Sequence, residues 1–172
     1  PVAFDFNTSN KKRLQRCDNL KSLLTANQYN AARQSTLSSF YTPDSITTAI
    51  YDGLQAAGVD KIKKGSWLDT SAGIGGLLRT MPKSISDNVK LTLVEKDNIS
   101  ADILEKLYPN SNLHNCAFEQ ANLNTKFDLI LQNPPFGSTP IFDKDSTFSG
   151  LTLHNYFMTK SASLLNNKGW MV

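Results

Sequence analysis

Three short apolar runs punctuate the chain: Gly65-Ser66-Trp67-Leu68-Asp69, Val89-Lys90-Leu91-Thr92-Leu93-Val94 and Phe127-Asp128-Leu129-Ile130-Leu131-Gln132. Each has the length and composition of a buried strand. Between them apolar residues recur at helical spacing. Ile46, Ala49, Ile50, Leu54 and Ala57 mark one face of a helix, with Thr42 as N-cap, Pro43 at the first helical position, Asp44 complementing the dipole and Gly58 closing the end. Asp97 or Asn98 caps a second helix, from Ile99 to about Tyr108, which Pro109-Asn110 stops. Leu151, Asn155 or Tyr156, Met158 and Leu164/Leu165 predict a third. A weaker strand lies near Leu113–Phe118, and Asn166-Asn167-Lys168-Gly169 turns the chain into a fifth. Strands alternating with helices predict an α/β fold with a doubly wound, mostly parallel sheet.

Ahead of this core, Leu14, Cys17, Leu20 and Leu23/Leu24 predict an amphipathic helix from Asn10 to about Thr25. Residues 26–39 read as a polar connector with a short helix at Tyr29–Gln34. The expected organisation is a helical N-terminal extension, 1–39, followed by a core, 40–172. Lys11, Lys12, Arg13 and Arg16 read as a solvated helix face, with phosphate contact as the alternative.

With 172 residues, 40% hydrophobic and 19% charged, the chain is long enough for one well-filled core. The formal net charge of +3 permits a nucleic-acid partner without requiring one. Cys17 and Cys116 form no metal or disulfide pattern, and no apolar stretch reaches membrane-spanning length, so a cytoplasmic protein with reduced thiols is expected. No metal site is expected. His114 and His154 read as structural, and Trp67 and Trp170 as core. A start at Pro1 and an apolar end, Trp170-Met171-Val172, suggest a piece of a longer protein cut after the fifth strand.

The chemistry gathers after the 127–132 run, at Asn133-Pro134-Pro135-Phe136. Two prolines cannot continue a central strand, so it ends by presenting the Asn133 amide and the next carbonyls at its carboxyl edge, where open parallel sheets bind ligands. Two acceptors and a ring can hold a planar base by its exocyclic amine. Upstream, Asp69-Thr70-Ser71-Ala72-Gly73-Ile74-Gly75-Gly76 reads as strand, glycine turn and then a helix beginning at Leu77-Leu78-Arg79-Thr80-Met81. Leu78 stands at the third glycine position of a dinucleotide fingerprint, and no P-loop lysine follows. Asp69 suits an ammonium better than a pyrophosphate, which points to an amino-acid-bearing nucleoside. Glu95, about twenty residues on, stands where such folds hold ribose hydroxyls. The polar stretch 137–150 is a loop of functional length.

Phe40-Tyr41-Thr42-Pro43, the glycine motif, Leu93-Val94-Glu95 and Asn133-Pro134-Pro135-Phe136, in that order, resemble the S-adenosylmethionine-dependent DNA adenine-N6 methyltransferases of gamma type found in restriction-modification systems. Cys116-Ala117-Phe118-Glu119 and His154-Asn155-Tyr156-Phe157 are similar to plasmid- and phage-borne methylase modules. The resemblance, over residues 40–172, implies a Rossmann-like class I methyltransferase core and S-adenosylmethionine as cofactor. It implies that Tyr41 and Thr42 line the cofactor's methionine end and that Asp69, Ser71 and the backbone around Gly73 and Gly75 hold its amino-acid moiety. Glu95 would take the ribose, Phe118 the cofactor adenine, and Asn133 the boundary between cofactor and acceptor. The family's acidic residue before that phenylalanine is here Ala117, with Glu119 or Asn115 as substitutes.

Asn133, Pro134, Pro135 and Phe136 would be the catalytic group, acting on an adenine flipped from DNA, with a target-recognition domain elsewhere in the full-length protein. The isolated piece would bind cofactor weakly and methylate poorly or not at all. Alternatives are an RNA guanine or adenine methyltransferase, a protein-glutamine methyltransferase, or a catalytically silent DNA-binding module of the same fold.

Overall fold

The computed structural model describes residues 4, 6–35, 42–61 and 64–172. The chain divides into two compact units, Pro1–Ser39 and Phe40–Val172. In the first, helix α1 (Lys11–Leu23) starts at Asn10, whose side chain accepts from the N–H groups of Lys12 and Arg13. Helix α2 (Ala26–Ser35) is longer than expected. Its cause is a reciprocal capping box: Thr25 N–H donates to Gln28 Oε1, and Gln28 N–H to Thr25 Oγ1.

The second unit runs α3 (Asp44–Ala56), β1 (Gly65–Asp69), α4 (Lys83–Ser86), β2 (Val89–Val94), α5 (Asn98–Leu107), β3 (Asn112–His114), β4 (Phe127–Leu131), β5 (Pro140–Ile141), β6 (Leu151–Thr152), α6 (Leu153–Leu164) and β7 (Leu165–Met171). Five strands form one sheet in the order β3-β2-β1-β4-β7. Every pairing in it is parallel. Alternation along the strands sends Trp67, Leu93, Leu129 and Leu131 into one core with Tyr51 and Leu54 of α3 and Leu104 of α5. Leu68, Val94 and Ile130 enter the other, against Tyr156 and Phe157 of α6. Helices on both faces make this the doubly wound α/β architecture expected.

Several local expectations are corrected. Pro43, not Thr42, occupies the N-cap of α3 and makes no side-chain cap bond. The buried face of α3 is Thr47, Tyr51 and Leu54, whereas Ile46 is exposed. Polar residues took that face because their hydroxyls are satisfied inside: Thr47 Oγ1 donates to the Asp44 carbonyl and accepts from Thr80, and Tyr51 Oη donates to the Leu77 carbonyl at 2.8 Å. Residues 77–81 form successive turns rather than a helix. Gly75 at φ +83° and Pro82 leave only six residues between them, too few to nucleate one.

Strand β3 ends at His114, short of Phe118. The 137–150 stretch carries β5, which pairs antiparallel with β6. Asn166–Gly169 lies inside β7 as an irregularity of register opposite β4, with Lys168 at φ +64°. Asp128 anchors that irregularity, accepting from Asn166 Nδ2 and from the Ser66 N–H. Trp170, expected in the core, is 46% exposed, and Met158 also faces outward. Among the described residues no helix is long and apolar enough to cross a membrane.

Two glycines make a paired test. A Cβ on Gly75 would stand 2.5 Å from Tyr108 Cε2 at a backbone angle that L-residues rarely adopt, whereas one on Gly53, within α3, would meet nothing. Gly75→Ala is expected to lose about 2 kcal/mol or more, and Gly53→Ala to gain roughly 0.5–1 kcal/mol. Urea unfolding of both variants measures this, and equal stabilities would contradict the geometry.

Candidate active site

Register decides which residues meet. Asp69, the last residue of β1, is paired with Leu93 of β2 and Leu131 of β4. Two residues further along each strand line, Ser71, Glu95 and Asn133 are therefore level at the carboxyl edge. The hydrogen bonds follow that prediction. Ser71 Oγ donates to the Asn133 carbonyl at 3.1 Å. Glu95 Oε2 accepts from the Gly73 N–H at 2.7 Å, and its Oε1 accepts from the Asp97 N–H at 2.6 Å.

The glycine turn between β1 and Met81 bends at Gly73 and Gly75, both at positive φ. Tyr108, at the end of α5, packs where a Gly75 side chain would be, and its Oη donates to the Gly75 carbonyl. The Thr42 backbone lies against Gly76 from the other side. This brings Thr42 close enough for the contact that organises the acceptor end: Asn133 Nδ2 donates to Thr42 Oγ1 at 3.2 Å. Among the described residues nothing engages Asn133 Oδ1, whose lone pairs stay available. Phe136, three residues on, is 61% exposed, its ring 6.1 Å from that of His154 in the first turn of α6.

Two carboxyls sit at this edge against their solvation preference. Asp69 is 2% exposed; Oδ1 accepts from the Ser71 N–H, while Oδ2 is buried without a partner among the described residues, as is Thr70 Oγ1. Burial pushes the Asp69 pKa from 3.8 up to about 7, with the Ser71 amide opposing and the Glu95 charge adding. Burial also raises Glu95, outweighing the amide donors that oppose it. A buried, unpaired carboxylate oxygen beside a glycine turn fits a ligand that brings its own cation. A second carboxylate already oriented by two amides fits a pair of hydroxyls.

The sequence-predicted residues are thus only partly gathered. Hydrogen bonds link Thr42, Asn133, Ser71 and Asp69 in one chain and Gly73 with Glu95 beside it, and Gly75 shapes the turn. Pro134 and Pro135 lead on from Asn133 to Phe136. Tyr41 lies outside the described residues. Phe118 packs on the α6 face of the sheet. It is 3% exposed, its ring against Tyr156 and Phe157 with Lys160 Nζ 5.0 Å from its centre. Asn115 instead reaches the strand edge, donating to the Glu95 carbonyl at 2.9 Å. Two features had no sequence signal of their own. One is Tyr108 behind the glycine turn. The other is a half-buried clamp on the 137–150 loop, where Lys160 Nζ pairs with Asp143 at 2.7 Å and donates to the Phe118 carbonyl, and Tyr156 Oη donates to Asp143.

A parallel sheet of this order, with a glycine turn after its first strand and an acidic end to its second, has the Rossmann-like fold of the class I methyltransferases. Residues 29–172 match the sequence model of the methyltransferase small domain, and the chain belongs to that family. No curated protein matches the sequence. Among solved structures, the chain is similar to a Listeria monocytogenes protein described as a class I S-adenosylmethionine-dependent methyltransferase (17% identity, TM-score 0.63), over 93% of this chain and 57% of that one. It is also similar to a type I restriction-modification methyltransferase subunit of Streptococcus thermophilus (19%, 0.63; 78% and 34%). A third is the 16S rRNA N2 G1207 methyltransferase of T. thermophilus, solved with AdoMet and guanosine (24%, 0.53; 76% and 34%). The chain spans little more than half the length of the first of these and a third of the others. S-adenosylmethionine is its cofactor, and the orphaned Asp69 oxygen and the Gly73–Gly75 cradle suit that molecule's ammonium and close backbone approach.

The raised Asp69 pKa gives a pH prediction. Between about pH 4 and 7 the unfolded chain has released this proton while the folded protein retains it, so stability falls as pH rises through that window. The full span is worth about 4 kcal/mol. Unfolding of the cofactor-free protein and of Asp69→Asn at pH 5 and pH 7.5 should show the variant gaining on the parent at the higher pH. A difference independent of pH would contradict the assignment.

Proposed function

We propose that the chain is the catalytic core of a DNA adenine-N6 methyltransferase, acting on an adenine turned out of the duplex. One observation carries the reading. The Asn133 amide is fixed by Thr42 with its oxygen left over, at a strand end shared with Asp69 and Glu95 and followed by an exposed aromatic ring. In this reading Asp69 and the turn backbone, with Ser71, take the cofactor's amino-acid end. Glu95 takes the ribose hydroxyls, and Tyr41 and Thr42 border the methionine. S-adenosylmethionine supplies an electrophilic methyl group on a sulfonium.

The residues of the chain do the remainder. An exocyclic amine is a poor nucleophile because its lone pair is delocalised into the ring. Asn133 Oδ1 and the Pro134 carbonyl accept its two hydrogens, which localises the lone pair and aims it across the crevice. Pro135 stiffens the turn, and Phe136 stacks on the base. Orientation of this kind supplies several kcal/mol of a barrier. The methylated ammonium is acidic enough to release its proton to an acceptor or water, so no strong base is needed. Extruding the base costs a few kcal/mol, which stacking worth about 1–3 kcal/mol partly offsets.

The order of Tyr41-Thr42-Pro43 before the glycine motif supports DNA, as does the likeness to the restriction-modification subunit. Target recognition then belongs to another part of a longer cytoplasmic protein. The guanosine-bound rRNA enzyme supports a second reading, guanine in RNA, since two carbonyl-type acceptors suit either amine.

The test is tritiated-methyl transfer by the full-length protein to DNA, RNA and glutamine-bearing peptide acceptors, with nucleoside digestion of the product. Label in N6-methyldeoxyadenosine is expected. Label only in N2-methylguanosine or in peptide would overturn the DNA reading. Asn133→Ala is expected to cut transfer by more than about a hundredfold while S-adenosylhomocysteine affinity stays within a few-fold by calorimetry. A variant that methylates at the parent rate would end the assignment.

A further inference from the structure

Helix α6 packs Tyr156 and Phe157 against the sheet, yet its inward side also carries polar groups. Tyr156 and Ser161 are fully buried, and the side chains of Lys160 and Asp143 keep only 12% and 6% of their surface. These groups reach both ends of the acceptor segment. Ser161 Oγ donates to Gln132 Oε1 at 3.0 Å, one residue before Asn133. Lys160 Nζ donates to Asp143 Oδ2 at 2.7 Å, to Tyr156 Oη at 2.8 Å and to the Phe118 carbonyl at 3.1 Å, so each of its three hydrogens has an acceptor. Tyr156 Oη in turn donates to the same Asp143 oxygen, which closes a triangle.

Such a pair needs a reason other than stability. Desolvating two charges offsets much of their attraction, and well-packed apolar side chains of similar size would hold a helix to a loop about as well. What the closed triangle supplies is location, because Asp143 meets both donors at one place only. The stretch it anchors has little else to fix it. Residues 132–139 belong to no strand or helix, and Pro140–Ile141 pairs with β6 over two residues. Three of the ten residues from Pro134 to Asp143 are prolines with fixed φ, so the stretch bends little between its anchors. Its near end is tied to α6 through Gln132 and its far end through Asp143. The Pro134 carbonyl and the Phe136 ring lie between those two ties.

We propose that Lys160 is a positioning residue for methyl transfer: it pins Asp143 and, through the proline-stiffened stretch, keeps the Pro134 carbonyl and the Phe136 ring in place beside the Asn133 amide. This role rests on the reading of Asn133-Pro134-Pro135-Phe136 as the acceptor site, whichever acceptor that site takes. Lysine suits the task because its compact charge serves acceptors on the loop, on its own helix and on the Phe118 segment together.

Three variants of the full-length protein separate position from stability. Lys160→Met and Asp143→Ala each strand one charge and should lower the urea midpoint. The double variant strands none and should regain much of that loss. Single-turnover transfer, with S-adenosylmethionine and acceptor both saturating, is measured on whichever of the DNA, RNA and glutamine-bearing peptide acceptors the parent labels. A fall of roughly tenfold or more is expected in all three variants, the double included, since what is lost is orientation. Calorimetry should find the S-adenosylhomocysteine affinity of Asp143→Ala within a few-fold of the parent, because that variant leaves Lys160 on the Phe118 carbonyl. Recovery of the parent rate by the double variant in step with its stability would make the pair merely structural and overturn the proposal. Parent rates in the single variants would do the same.

Should the charge variants fail to fold, Tyr156→Phe decides, since it keeps the ring and removes only the hydroxyl bonded to both Lys160 and Asp143. A fall of roughly threefold or more is expected, as one lost hydrogen bond implies, and the parent rate would refute the role. A parent that labels none of the three acceptors overturns the acceptor reading itself, and this role with it. A parent that labels one of them while every variant keeps pace overturns this role alone.

Discussion

The parallel register of β1 with β2 and β4 is the constraint from which the rest follows. Pairing Asp69 with both Leu93 and Leu131 fixes three strand ends at one level. The strands then end in a glycine turn after β1, in Glu95, whose carboxylate accepts from the Gly73 and Asp97 amides, after β2, and in two prolines, which cannot extend a ladder, after β4. The sheet is held by continuous apolar contact on both faces, so the ends cannot shift without moving Trp67, Leu93 and Leu129 out of their packing. A rigid interior thereby fixes the spacing of polar groups at the edge. The bonds from Ser71 to Asn133 and from Gly73 to Glu95 register that spacing to within hydrogen-bond tolerance.

The same edge is where the fold gives up stability. Asp69 and Glu95 are desolvated more than their amide partners repay, and both are raised as acids in consequence. Replacing Asp69 with an apolar residue would suit the sheet better. Its retention makes sense for a site whose missing counter-charge arrives with a ligand, because a carboxylate short of partners binds an ammonium more strongly than a satisfied one. The acceptor side is organised differently. Asn133 and Thr42 are neutral, and what they contribute is direction: one amide hydrogen is spent within the protein so that the oxygen stays outside it.

Much of this was legible in the sequence, and the failures are specific. Strands β1 and β2 have the bounds their apolar runs predict, because Gly65 and Asp69 bound the first and Asn88 and Glu95 flank the second. The face of α3 was misread because pattern counting treats Thr47 and Tyr51 as polar, although their hydroxyls find partners in the core. The Leu77–Met81 segment has helix-forming residues but too little length between Gly75 and Pro82. Phe118 matched a family motif, but its packing against Tyr156 and Phe157 beside Lys160 carries no signal in the sequence. Site residues could be nominated singly, but bonds between residues as distant as Thr42 and Asn133 exist only through the sheet's register.

The central claim is that Thr42 holds the Asn133 amide so that its oxygen faces the acceptor. Thr42→Val keeps the shape of that side chain and removes only the oxygen that receives Asn133 Nδ2. Single-turnover methyl transfer with cofactor at saturation measures the consequence. We expect a fall of roughly ten- to a hundredfold, as one lost orienting hydrogen bond implies, with S-adenosylhomocysteine affinity falling by no more than a few-fold. A Thr42→Val protein that transfers methyl groups at the parent rate would contradict the account.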